Sequence, residues 1–301
     1  MKIKTSLSRK IFVIFNYIVI SALSLTFLLP LLNVLAKSLN EGLDASRGNV
    51  WFWPRVFTWE NYITVVGGST FKQSVIVTIL RVAIGLAIGI TVQFAAAYAM
   101  AKRKFPGKTL LLIFFMIPMY FHAGVVPNYV WFSKIGFLNN FWVYILPGAF
   151  SFYNVVIIRT FIQSTIPISL EESAFIDGAT EVTVFWRIIL PLCKPILATI
   201  ALWIMVHHWN DWTTTLYYIR KPKLYTMQYI MMELIKESER LQKLAAEAAM
   251  QGELVENSTS TTTSDVIVSA QIMVTILPIV CVYPFLQKYF VKGIMMGSVK
   301  G

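Results

Sequence analysis

Six apolar runs, each long enough to cross a lipid bilayer, constrain this chain more than any other feature of its sequence. A spanning helix needs about 20 apolar residues, because it rises about 1.5 Å per residue across a hydrocarbon layer about 30 Å thick. The runs cover residues 11–36, 74–101, 109–132, 141–162, 188–209 and 268–290. Lipid offers no partner for exposed backbone groups, so apolar runs of this length predict helices. The fold class expected is therefore an all-α membrane protein with six transmembrane helices, in a single domain over residues 1–301. Composition agrees, with 56% of residues hydrophobic and 14% charged, against about a quarter charged in soluble domains. Too little polar surface remains to cover a soluble core, which excludes an ordinary soluble enzyme. The first run exceeds the roughly 7 to 15 residues of a signal-peptide core and reads as a retained span.

The net charge of +11 follows the pattern of a membrane protein, not of a nucleic-acid binder. Short loops facing the cytoplasm collect Lys and Arg. With the N-terminus inside, the inner segments hold Lys2, Lys4, Arg9 and Lys10, then Lys102, Arg103, Lys104 and Lys108, then Arg159, Arg187 and Lys194, and last Lys288, Lys292 and Lys300. The short outer loop after the third run holds only Lys134. Both termini are then cytoplasmic, and two longer segments, 37–73 and 211–267, lie outside. Segment 37–73 carries Trp51, Phe52, Trp53, Phe57, Trp59 and Tyr62, a composition suited to an interfacial belt or a lid. Segment 211–267 contains a stretch of good helix formers from Met231 to Asn257, followed by Ser and Thr alone from Ser258 to Ser264, which reads as a tether.

Catalytic and metal motifs fail on inspection. Gly107, Lys108 and Thr109 match the end of a phosphate loop, but Lys102 stands where its first glycine belongs and no strand precedes it. His122, His207 and His208 are the only histidines, and neighbours in sequence point to different helix faces. Cys193 and Cys281 cannot build a disulfide framework. Asn257, Ser258 and Thr259 form a glycosylation sequon that carries meaning only in a eukaryotic secretory pathway.

Within the runs, Gly85 and Gly89 lie four apart, with Ala95, Ala96, Ala97 and Ala99 beyond, a small-residue face for close helix approach. Arg81 shares that run, and a cation there costs at least about 2.5 kcal/mol unless it snorkels or faces a wet path. Both readings stand at this point. Pro118 and Pro127 flank Gly124 and predict a break in the third run.

The loop over 166–187 is long, inner, amphipathic and acidic where basic residues are expected. Ser169 and Glu172 have the spacing of a capping box, which predicts a short helix with Ala174 and Phe175 on its apolar side. Asp177 and Gly178 break it, a second helical piece runs from Thr180 towards Arg187, and Pro191 bends the entry to the fifth run. A helix, turn, helix unit of this kind forms a small knob on the membrane surface.

Glu172-Ser173-Ala174, three residues to Gly178, then Ile188, Leu190 and Pro191 resemble the EAA loop of ABC importer permeases. The stretch Ile166 to Glu172 with Asp177-Gly178-Ala179 is similar to the carbohydrate branch that contains the maltose permease of the MalG type. Phe57 to Tyr62, Trp209-Asn210-Asp211 and Pro284 to Gly301 extend the likeness over nearly the whole chain. Gly124 to Tyr129 and Tyr283 to Gly293 resemble the narrower group of oligosaccharide and polysaccharide importers, lipoprotein-assisted and alginate-type. Ser173 replaces the usual alanine, and the insert 221–264 is longer than in a maltose-type permease.

The resemblance implies a type I ABC importer permease fold in the bacterial inner membrane. It implies a homologous permease subunit as partner, two ATP-binding subunits that carry ATP and Mg, and an extracytoplasmic solute-binding protein. No cofactor belongs to this chain, and the chain is not itself an enzyme. ATPase docking falls to Glu172, Ser173, Ala174, Asp177, Gly178 and Ala179. The saccharide path falls to Arg81, Tyr129, Tyr153 and Asn154, polar or aromatic groups near helix breaks. Arg81 with Arg220, Lys221 and Lys223 suggests an acidic, alginate-like solute. The rival is an ion-coupled secondary transporter, which needs ionisable groups near mid-span, and few besides Arg81 occur.

Overall fold

The computed structural model describes residues 7–102, 105–121, 123–250 and 263–297, and all of its regular structure there is helical. The main helices are α1 (Leu7–Ser38), α2 (Ser69–Ala101), α3 (Lys108–Tyr120), α4 (Val125–Lys134), α5 (Phe152–Thr165), α6 (Ile168–Ile176), α7 (Glu181–Leu192), α8 (Lys194–Asn210), α9 (Met227–Met250) and α10 (Ser264–Gly297), with shorter ones at Gly42–Ser46, Glu60–Gly67 and Thr213–Tyr218. Lys2, Lys4, Arg103, Lys104, His122, the Asn257 sequon, most of the Ser/Thr tether and Lys300 lie outside the described residues, as do the side chains of Lys288 and Lys292.

The six runs do not become six straight spans. Among the described residues, three helices are long and apolar enough to cross a membrane: α1, α2 and the Ser264–Pro284 part of α10. Two bent pairs are long and apolar enough only when each is taken together, α3 with α4 at 115° and α7 with α8 at 79°. Gly124, at φ 85°, makes the first bend in a conformation that costs other residues energy. The second falls at Cys193, with Pro195 opening α8 behind it. The fourth run is divided. Phe141–Tyr144 forms a 3-10 turn, Pro147 and Gly148 interrupt it, and α5 begins only at Phe152. At 14 residues, α5 rises about 21 Å, short of a full hydrocarbon layer. It ends where Pro167 holds Ile166 extended.

The chain divides into two compact units, residues 1–68 with 231–277, and residues 69–230 with 278–301. In the first, α1 is exposed along nearly its whole length, with only Ala36 and Ser38 buried. Beyond it, buried Asn40 organises the polar segment: its Nδ2 donates to Asp44 at 2.9 Å, and its Oδ1 accepts from the Arg55 and Val56 amides. The Asn40 hydrogen bond, with the nearby Arg55, holds the Asp44 carboxyl below its usual pKa. Trp51, Trp53 and Trp59 stay exposed. The helix expected from Met231 begins four residues earlier, at Met227, and reaches Met250.

The second unit is built around α2, which packs on α8 and α5. Its core joins Phe94, Ala97, Val155, Ile158, Val184, Ile189 and Ile200. The Gly85 and Gly89 face permits the contact with α8: a Cβ at Gly85 would collide with the His208 ring, and one at Gly89 would lie 3.3 Å from Ile204 Cδ1.

Candidate functional site

The knob is two short helices joined by a glycine turn. α6 starts one residue before the expected cap: Pro167 is its N-cap, and no side chain caps it. The Ser169–Glu172 capping box therefore does not form, because Pro167 already fixes the entry and Ser169 Oγ is not at the cap position. Ser173 Oγ instead donates to the Ser169 carbonyl at 2.8 Å. Gly178 turns the chain at φ 82°, and Thr180 caps the second helix by accepting from the Thr183 amide at 3.3 Å. Val184–Ile189 is a widened π turn within α7.

The candidate docking residues divide by direction. Glu172, Ser173, Asp177 and Gly178 are exposed. Ala174 is buried in the main core and Ala179 packs against it, so these two seat the knob on the bundle and do not face outward. The outward surface gains Ile176 at its tip, 86% exposed, which the sequence pattern does not single out.

A second cluster lies beneath the knob. Lys102 Nζ donates to Glu171 Oε2 at 2.6 Å and lies 3.1 Å from Glu181 Oε2. Burial works against the ammonium, but its hydrogen bonds to Glu171, Tyr98 and Glu181 raise its pKa above the ordinary lysine value.

The saccharide-path candidates separate as well. Tyr153 and Asn154 line a cavity of about 540 Å³ with Gln93, Trp203, His207 and His208 among its walls. This volume suits a small ligand or part of a larger one. Tyr153 and Trp203 stack with centroids 6.1 Å apart and planes at 24°. Asn154 Nδ2 donates to Gln93 Oε1 at 2.9 Å, and Gln93 Nε2 donates to the Ala149 carbonyl at 3.0 Å. His208 Nδ1 is buried without a partner in the structure. Trp203 and Gln93 carry no sequence signal of their own, since an aromatic or an amide in an apolar run reads as packing.

Arg81 and Tyr129 do not join this wall. Tyr129 stacks on Tyr218 with centroids 6.3 Å apart. Arg81 neither snorkels nor faces a wet path: it is 1% exposed and forms an ion pair with Asp211. Its second nitrogen donates to the Asp211 carbonyl at 2.8 Å, and its Cζ lies 4.5 Å from the Tyr144 ring centroid. Thr213 Oγ1 and the Thr214 amide donate to Asp211 Oδ1 at 2.7 and 3.1 Å. A paired and hydrogen-bonded guanidinium is the form in which such a charge is tolerated in an apolar surrounding.

Comparison with known proteins identifies the family. The family described as binding-protein-dependent transport system inner membrane component is matched over residues 85–296. The chain is similar to Protein LplC of Bacillus subtilis (strain 168), 35% identical over 97% of this chain and 96% of the relative. It is also similar to the polygalacturonan/rhamnogalacturonan transport system permease protein YtcP of the same organism, 31% identical over 92% of this chain and 94% of that one. Among solved structures it resembles a bacterial ABC transporter involved in the import of the acidic polysaccharide alginate, with 27% identity, a TM-score of 0.84 and coverage of 96% of this chain and 100% of that chain. Matched over most of its length, the chain is a membrane permease component and not an enzyme, and it belongs to the family of inner-membrane components of binding-protein-dependent transport systems.

Proposed function

We propose that this chain is one permease subunit of an ATP-driven importer of oligosaccharide or polysaccharide. It forms the translocation path with a homologous permease in the bacterial inner membrane, with both termini and the knob in the cytoplasm. Two ATP-binding subunits, which carry ATP and Mg, engage Glu172, Ser173, Asp177 and Gly178 around the Ile176 tip, and a solute-binding protein delivers the saccharide from outside. The observation that carries the saccharide reading is the cavity at Tyr153 and Asn154, where stacked aromatic rings stand beside amide and imidazole groups. Apolar ring faces with hydrogen-bonding neighbours match the two surfaces of a sugar ring. The relatives' transport of polygalacturonan, rhamnogalacturonan and alginate supports the same substrate class. An acidic solute draws its support from the relative named for polygalacturonan and rhamnogalacturonan and from the alginate importer, since all three polymers carry uronic acids. Arg81 adds none, because Asp211 already answers its charge.

The complex reconstituted in liposomes should take up a labelled oligosaccharide when ATP and the binding protein are supplied, and should continue when ionophores collapse every ion gradient. Uptake that follows a proton or sodium gradient and ignores ATP would refute the proposal. Tyr153→Ala with Trp203→Ala should lower uptake and leave the complex assembled.

A further inference from the structure

Lys102 follows the last residue of α2 and takes part in neither the outward face of the knob nor the cavity. Its ammonium holds Glu171 of α6 at 2.6 Å and Glu181 of α7 at 3.1 Å. It also lies 4.4 Å from the Tyr98 ring centroid and 5.5 Å from that of Phe175. One turn earlier on α2, Tyr98 Oη donates to the same Glu181 oxygen at 2.8 Å. A single cation at the end of the span therefore grips both helices of the knob.

The acidity of the knob divides accordingly. Glu172 and Asp177 face outward, whereas Glu171 and Glu181 turn to Lys102. The neighbouring carbonyls of α2 are fixed by a third helix: Met100 O accepts from Arg159 Nε and Ala101 O from Gln163 Nε2, each at 3.1 Å. These are orphan groups of a helix terminus, and α5 supplies their donors. The covalent link between α6 and α7 is the short turn at Gly178. The ion pairs add a charged tie between α6, α7 and the end of α2 to the apolar seating that Ala174 and Val184 already give the knob.

From that end α2 runs unbroken for 33 residues. Nine residues back from Lys102, roughly 13 Å along the axis, Gln93 bridges to Asn154 in the cavity wall. A displacement of the knob delivered to Lys102 would thus reach the cavity through a continuous helix, with no loop between to absorb it.

We propose that Lys102 is the positioning residue that couples movement of the docking knob to α2, and through α2 to the cavity wall. This inference rests on the importer reading. It is tested in the full complex, reconstituted with its partner permease, ATP-binding subunits and binding protein, by comparing the unaltered chain with Lys102→Met and Lys102→Arg. Methionine keeps an apolar stem against Tyr98 and Phe175 and removes the charge. The expected result for Lys102→Met is normal assembly and unchanged basal ATP hydrolysis, with uptake and binding-protein-stimulated hydrolysis falling about tenfold, the size of an ordinary coupling energy. Lys102→Arg, which keeps both ion pairs, should retain both activities. Stimulated hydrolysis and uptake at unaltered levels in Lys102→Met would overturn the coupling role. Loss of assembly in that variant would also overturn it, because Lys102 would then serve docking. An unaltered complex without ATP-driven uptake would remove the importer reading and this inference with it.

Discussion

An arginine in an apolar helix needs its counter-charge close by, and here the counter-charge comes from 130 residues further along the chain. No local pattern in the sequence connects Arg81 to Asp211, which is why reading the run alone leaves snorkelling and a wet path as its options. The two charges, taken from water, are held by each other, by Thr213 and Thr214, and by the Tyr144 ring. Removing one partner strands the other, so Asp211→Asn should destabilise the protein by about 3 to 5 kcal/mol. Arg81→Met combined with Asp211→Leu should cost much less, because no unpaired charge stays behind. Thermal unfolding in detergent distinguishes the two. If the double variant were as damaged as the single one, the pair would matter through its packing and not its charge. The same pairing bears on selectivity: Arg81→Gln should change uptake of acidic and neutral oligosaccharides alike, and a loss confined to acidic ones would restore Arg81 to the path.

Elements follow from the sequence where short-range chemistry decides them and depart from it where distant chain segments do. The Gly85 and Gly89 spacing announces a close helix contact, and α8 supplies it with His208 and Ile204. Gly85→Ala should therefore weaken the α2–α8 contact by about 1 to 3 kcal/mol, the usual cost of overpacking. Adding His208→Ala should recover part of it, and a melting temperature indifferent to Gly85→Ala would disprove the contact. The helix, turn, helix knob is legible because Gly178 and Thr180 are local signals, although the capping box read at Ser169 and Glu172 does not form. Its inward seating through Ala174 agrees with the apolar side read for that helix, whereas Phe175, read on the same side, stays exposed. The division of the fourth run at Pro147 and Gly148 is written in the sequence, but the apolar stretch around it masks it. Gly178 is the knob's most informative position. Its φ of 82° disfavours a side chain, yet a Cβ there meets nothing within 4 Å. Gly178→Ala should cost about 1 kcal/mol of local strain, whereas Gly178→Trp should leave the permease folded and block assembly with the ATP-binding subunits, as read by co-purification. Full assembly of the tryptophan variant would clear the turn of any role in docking.

At the scale of the molecule, sidedness depends on whether the bent pair α7 and α8 crosses the membrane or turns back within it. The 17 residues of α8 rise about 25 Å, close to a hydrocarbon layer but not beyond it. The charge distribution favours a crossing: Arg187 and Lys194 cluster before α8, and the positive-inside rule puts that end in the cytoplasm. A single crossing requires Asp177 and Lys221, both exposed, to lie on opposite sides of the bilayer. Thiol labelling decides this in a Cys281→Ser background, where the remaining Cys193 is buried. In cells whose outer barrier is opened, a cysteine at Lys221→Cys should react with an impermeant reagent, and one at Asp177→Cys should react only after the inner membrane is permeabilised. Reaction of both from outside would make α7 and α8 a re-entrant hairpin, and would remove the knob from the compartment where ATP is hydrolysed. Both protected until permeabilisation would leave the knob in place and move the 211–267 segment inside, reversing the outer placement that the positive-inside count assigns to it.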